Sequence, residues 1–253
     1  MKHFPTILSH EIRMLLVSSS TYIAAVLFLS LMGFIFAGIL ESYSGTPREL
    51  SPAVVFFQLF WIPVFFMVPL LTMKCISEER RHGTLETLLT APVSTAEVVL
   101  GKYAAAYLLY LGLWAATGGF FFILSRFAPD SRFIDSGPLL GGYLFIAVSG
   151  LFFVAIGVFA SSLSRNQAVA GILAFALLFA FIIGLKFVGT LELLKTDAMA
   201  PLRGAVEYTN VFRHLEDFSR GIVDTRQLLY YVSGGALALI FSILGVEAKQ
   251  LHS

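Results

Sequence analysis

Charge is what this chain has least of. Only 13% of its 253 residues are Asp, Glu, Lys or Arg, where soluble domains carry about a quarter. The shortage gathers into six uncharged runs of 20 to 29 residues: Met14–Leu40, Leu50–Met73, Tyr103–Ser125, Ser136–Ser164, Asn166–Leu185 and Gln227–Val246. All 33 formal charges, 17 basic and 16 acidic, lie outside them. At about 1.5 Å rise per residue, each run can cross a hydrocarbon layer roughly 30 Å thick as a helix. A soluble all-α protein has no need of six such runs, and the alternating ten-residue segments of a membrane barrel are missing. The chain reads as an all-α integral membrane protein with six transmembrane helices, at about 20–40, 53–73, 101–124, 138–163, 168–188 and 227–246.

Other absences narrow the function. Cys75 is the only cysteine, so no internal disulfide can form. A net charge of +1 offers no footprint for nucleic acid. Glu11 and Arg13 interrupt the first apolar segment and no small-residue cleavage pattern follows, so no cleavable signal peptide is expected. Internal repeats and low-complexity tracts are lacking, and 1–253 reads as one membrane domain. The six runs hold no Asp, Glu, Lys, Arg or His. Proton- and ion-coupled carriers commonly keep such groups, or broken helices, near the midplane. The weak breaks present here, Pro63, Pro69, Gly118-Gly119, Gly150 and Gly157, read first as close packing or tolerated kinks.

Between the runs, local signals place several helix ends. Phe4, Ile7, Leu8, Ile12 and Leu15 recur at helical spacing, predicting an interfacial amphipathic helix over about 4–16. Ser51-Pro52 supplies an N-cap and a first-turn proline for the second span, and Ser94-Thr95-Ala96-Glu97 is a capping box for the third. Spans four and five are joined by the short turn Ser164-Arg165-Asn166. The 41-residue connection Lys186–Arg226 is too long for a bare loop. Within it, Tyr208, Val211, Phe212, Leu215 and Phe218 form an apolar stripe, with Arg213, His214, Glu216, Asp217 and Arg220 expected on the other face. Gly221 is placed to stop that helix and Asp224 to cap the sixth span.

An even number of spans puts both termini on one side. With the termini inside, eight positive charges are inside: Lys2, Arg13, Lys74, Arg80, Arg81, Lys102, Arg165 and Lys249. Nine fall outside, but six of those sit in the long connection, which the positive-inside rule weights less than short loops. Short-loop charge therefore favours termini inside.

The stretch Glu78–Pro92 is a charged, helix-capable island between two apolar runs. Leu85, Leu88 and Leu89 share one face of a short helix, Glu86 lies on another, Gly83 and Thr84 mark its start, and Pro92 prevents its continuation. Such a knob suits docking into a cleft of a soluble protein. The residues alone equally allow a polar loop whose leucines rest on the membrane surface. Two catalytic readings fail. Gly101-Lys102 ends like a phosphate loop, but Ala96 stands at the earlier glycine position and Tyr103 replaces Ser or Thr, so this chain is not expected to bind ATP. Glu78, Glu79 and His82 have the spacing of a metal-binding face, yet Arg80 and Arg81 are interleaved and a solvated ion-pair face is favoured. Met73 and Cys75 at a span end read as packing residues rather than soft-metal ligands.

The segment Ile76–Ser94, with Gly101-Lys102-Tyr103 following, closely resembles the signature of type-2 ABC transporter permeases. Ala160–Gln167 and Phe218–Asp224 resemble further segments of that family. Within it the chain is most similar to the gliding-motility-associated permease branch, and more distantly to the permease of the copper-processing system for nitrous oxide reductase. The resemblance implies a non-catalytic permease subunit in a homodimer or pseudo-dimer, paired with two separate ATPase subunits that bind ATP and Mg; the permease itself needs no cofactor or metal. It implies a bacterial inner-membrane protein with both termini cytoplasmic, and leaves room for an extracytoplasmic accessory protein. It also implies a cytoplasmic coupling helix carried by Gly83, Thr84, Leu85, Glu86, Leu88 and Leu89, closed by Pro92, with Glu78, Glu79, Arg80 and Arg81 leading in. The connection before span six would then hold extracytoplasmic helices. The expected function is an ATP-driven exporter or mechanical transducer. A stand-alone ion-coupled carrier is disfavoured by the empty spans, and a membrane-embedded enzyme by the lack of a convergent acid–base set.

Overall fold

A computed structural model describes residues 3–45, 50–83, 93–127, 135–191 and 200–250. These are helical nearly throughout, and no strand occurs among them. Five helices are long and apolar enough to cross a membrane: Ser19–Tyr43, Thr95–Phe127, Ser136–Leu163, Gln167–Val188 and Thr225–Ala248. A bent pair makes a sixth crossing if its two halves are taken as one span.

Helix α1 (Phe4–Val17) has no buried residue, and α2 (Ser19–Gly45) follows as the first crossing. The second span, expected as one helix over about 53–73, is α3 (Pro52–Gln58) and α4 (Trp61–Thr72), bent by 50°. Pro63 explains the break: it has no N–H, and its ring would collide with the carbonyl of Leu59 in a continuous helix. Ser51 occupies the N-cap position before Pro52, but its side chain makes no capping bond.

The third crossing joins α6 (Thr95–Ala116) to α7 (Gly118–Phe127) through Thr117, whose hydroxyl donates to the Trp114 carbonyl and meets the Tyr143 hydroxyl. Between α4 and α6 lies α5 (Ser77–His82). At the start of α6 both bonds of the capping box are made, Glu97 N–H to Ser94 Oγ at 3.2 Å and Ser94 N–H to Glu97 Oε2 at 3.3 Å. Helix α8 (Ser136–Leu163) is capped by Asp135, and α9 (Gln167–Phe179) by Asn166. The fifth crossing then runs through a π-helical turn, Ala180–Gly184, into α10 (Leu185–Val188).

The long connection contains α11 (Ala200–Tyr208) and α12 (Val211–Ser219), and α13 (Thr225–Gln250) closes the bundle. Gly221, at φ 78°, ends α12 in a Schellman motif: its own N–H reaches the Phe218 carbonyl and the Ile222 N–H reaches that of Asp217, both at 2.9 Å. Asp224 caps the last helix by accepting from the Arg226 N–H at 2.8 Å.

Helix α8 is the centre. In its most apolar stretch 67% of the residues are buried, against 22–28% for the other four long helices. Aromatic rings fill the space around it, with Phe60 edge-on to Phe145, and Phe145 edge-on to both Phe218 and Tyr231. Val211, Leu215 and Phe218 are buried, so α12 is tucked against the bundle. One expectation fails here. His214 is only 2% exposed and belongs to the buried face. Its Nε2 lies 2.8 Å from the Tyr208 carbonyl, which can only accept, so Nε2 carries the proton and Nδ1 accepts from the Tyr231 hydroxyl at 2.9 Å. Burial holds the imidazole below its usual range, in keeping with this neutral tautomer.

The seat of α12 on α8 depends on Gly141. A Cβ there would stand 2.0 Å from the Phe218 carbonyl oxygen, a backbone atom that cannot step aside alone. Gly141→Ala is therefore expected to destabilise the bundle by about 1–3 kcal/mol through overpacking, read as a lowered melting midpoint in detergent. An unshifted midpoint would show that this contact is not made.

Candidate functional site

The short helix α5 begins where the second span ends, and it is tied to four other parts of the bundle. Its first amides lack helical partners, as at any helix start. Ser161 of α8 meets that need: its Oγ accepts from the Ile76 N–H at 3.0 Å and the Ser77 N–H at 3.1 Å, and donates to the Met73 carbonyl at 3.2 Å. The Ser77 hydroxyl also donates to the Met73 carbonyl. Arg80 extends to the far end of α13, where Nη2 donates to the Gly245 carbonyl at 2.8 Å. Gly83, at φ 68°, then terminates α5 in the left-handed region, and its N–H bonds the Glu79 carbonyl.

The third and fourth ties are ionic. Lys102, two turns into α6 and 5% exposed, places Nζ 2.8 Å from Glu79 Oε1 and 2.7 Å from Glu11 Oε1. One ammonium thus joins α5, α6 and α1. Helix α1 can approach closely because Gly101 has no side chain: a Cβ there would meet Ile7 Cγ2 at 2.6 Å. Two carboxylates share this one lysine, and both remain partly open to water, at 18% and 23% exposed. That access tempers the desolvation penalty that burial imposes on charges.

Of the residues expected to couple the chain to a partner, Glu79 and Arg80 are drawn into these ties, Glu78 is half-buried, and Arg81 is exposed. Thr84, Leu85, Glu86, Leu88, Leu89 and Pro92 lie outside the described residues. The metal reading of Glu78, Glu79 and His82 loses Glu79 to Lys102, and the His82 side chain lies outside the described residues. Burial pushes the Cys75 thiol up to about 12, which disfavours a free thiolate there. Among the described residues no group of three or more His, Cys, Asp and Glu is arranged to hold a metal.

Sequence reasoning missed Glu11, Lys102 and Ser161. A signal for Glu11 was present: it lies four residues after Ile7 and three after Leu8, on the apolar stripe of the first helix, where an unpaired carboxylate would be costly.

The profile of ABC-2 family transporter proteins matches residues 6–246, nearly the whole chain and nearly all of this helical assembly. The chain belongs to the ABC-2 transporter family. It is a multi-pass membrane permease of that family, and the ties around α5 lie in the segment that carried the resemblance. The chain is also similar to the probable multidrug ABC transporter permease YbhR of Escherichia coli, of strain K12 and of O157:H7, at 26% identity over 164 residues. That match covers 61% of this chain and only 39% of the relative's length.

Proposed function

We propose that this ABC-2 chain is the membrane-spanning, non-catalytic half of an ATP-driven exporter or mechanical transducer, worked by a separate ATPase through the segment 83–92. The observation that carries this reading is the set of ties at α5. The helix leading into 83–92 is bonded to α6, α8, α13 and α1, so a displacement of that segment is delivered to several spans together. Interfaces packed in this way switch between discrete arrangements rather than deforming gradually. The apolar runs hold no Asp, Glu, Lys, Arg or His for an ion gradient to act on, which favours energy supplied from outside the membrane.

In this reading two ATPase subunits bind ATP and Mg, and a second permease subunit completes the pore or piston as a homodimer or pseudo-dimer. The membrane is the cytoplasmic membrane of a bacterium. The Ile76–Ser94 signature supports the gliding-motility-associated branch, whereas the similarity to a probable multidrug permease supports multidrug export. An accessory protein on the outer side would suit the first role.

Purification with the products of neighbouring genes tests the central point. An ATPase is expected to co-elute, and in vesicles holding both chains activity should require hydrolysable ATP and survive an uncoupler. Gradient-driven activity from this chain alone would overturn the reading.

Orientation follows from the same proposal. The termini, 78–102 and Arg165 face the cytoplasm, and Arg132 and the connection before the last span face outward. In a Cys75→Ser background, impermeant thiol reagents added outside should label Arg132→Cys and spare Thr87→Cys. The opposite pattern would invert the topology.

A further inference from the structure

Beside the Lys102 cluster a half-open crevice of about 390 Å³ separates α1 from the end of α4 and from α5. That volume lies in the range of small-ligand sites. Its walls have two characters. Met14, Val17 and Leu71 form an apolar side, and Met14 and Val17 are 57% and 74% exposed. Both belong to a helix with no buried residue that leads into the first crossing, the place of an interfacial helix whose apolar side meets lipid. On that placement the apolar side of the crevice opens toward the bilayer.

The other wall is charged. Glu11, Glu78, Glu79, Lys74 and Lys102 line it, with His10 beside them. Lys102 is taken up by Glu11 and Glu79, which leaves Lys74 and Glu78, four residues apart, as the cation and anion facing the space. Neither has an ion-pair partner among the described residues; the Lys74 ammonium donates to the neutral Ser20 hydroxyl at 2.6 Å. A ligand with only a positive head would confront Lys74. One with only a negative head would confront Glu78 and the carboxylates of Glu11 and Glu79. A head with both charges answers both Lys74 and Glu78.

We infer that this crevice binds a zwitterionic, primary-amine phospholipid from the adjoining leaflet. Its phosphate lies against Lys74, its ammonium against Glu78, and its acyl chains run out past Met14 and Val17. A primary ammonium donates three hydrogen bonds to carboxylates, whereas a trimethylated head donates none, so ethanolamine is preferred to choline. This site goes beyond the proposed ATPase coupling and does not require it.

The test is native mass spectrometry of the purified full chain in mixed micelles. The micelles contain equal amounts of phosphatidylethanolamine, phosphatidylcholine and phosphatidylglycerol with identical acyl chains. The ethanolamine lipid is expected to be retained at least about fivefold over the other two. Lys74→Ala should remove most of that retention, Lys74→Arg should restore it and so exclude misfolding, and Glu78→Gln should abolish the preference for ethanolamine over choline. Equal retention of all three lipids by the parent protein, or an undiminished preference in a Lys74→Ala, Glu78→Gln double variant, overturns the site. Glycerophosphoethanolamine is added as a chain-free competitor. Displacement of the lipid at equal concentration would assign the crevice to a soluble phosphoamine instead, and refute the lipid.

Discussion

Lys102→Met is expected to destabilise the protein by about 3 kcal/mol, the low end of the cost of breaking a buried ion pair, and to uncouple it from its ATPase. The lysine is the only cation within ion-pair distance of both Glu11 and Glu79 among the described residues, and it is 5% exposed. Its removal takes from both carboxylates, which sit on separate helices, the ammonium they share. Their partial exposure places the cost at the low end. Two variants divide the stabilising role from the mechanical one. Adding Glu11→Gln and Glu79→Gln to Lys102→Met removes all the charges at once, and neutral replacements of a whole buried cluster are often tolerated. Melting in detergent should therefore recover in the triple variant. ATP-dependent activity should not recover, because the link from α5 to α1 and α6 remains cut. A triple variant with parental stability and parental coupling would show that the ionic cluster transmits nothing. An unchanged melting midpoint in Lys102→Met alone would show that the ion pairs do not form in the membrane.

The cluster also shows where the sequence was legible and where it was not. The long uncharged runs announced the crossings because the bilayer imposes a length that few other constraints demand. Ser94 and Glu97, Gly221 and Asp224 were readable because caps are local, with both partners within a few residues. Lys102 is different. In sequence it stood out as part of Gly101-Lys102-Tyr103, but nothing there named its partners, which are 91 and 23 positions away. Only packing brings α1 across Gly101 to meet it. Ser161 was unreadable for the same reason, lying 84 residues from the Ser77 amide that it accepts from.

His214 teaches a different lesson. It stands three residues after Val211 and four before Phe218, so periodicity puts it on the apolar face. Its polarity suggested the other face, and the Tyr208 carbonyl and Tyr231 hydroxyl make its burial affordable in hydrogen bonds. The bend near Pro63 was visible as a proline, but a membrane helix absorbs many prolines with small kinks. A 50° angle depends on what α3 and α4 each pack against.

A Leu85→Asp, Leu88→Asp double variant is expected to insert and fold as the parent does, yet to lose its ATPase. The two leucines share a face of the short helix predicted between Gly83 and Pro92, and their positions lie beyond the ties that anchor α5. Folding and docking are therefore separable. If the leucines seat in a cleft of the partner, each substitution puts a carboxylate where an apolar side chain is desolvated. A central interface residue of this kind commonly contributes about 2 kcal/mol or more. Two such losses correspond to roughly a thousandfold weaker association, enough to abolish co-elution at ordinary purification concentrations. The competing reading, in which the leucines rest on the lipid surface, predicts the reverse: the aspartates would move into water at little cost, and the ATPase would still co-purify. Co-elution and ATP-dependent activity measured on one preparation, with the melting midpoint as the control for folding, decide between them. A variant with the parental midpoint, no bound ATPase and no activity identifies this face as the docking site; one that retains both partner and activity places the leucines on the membrane.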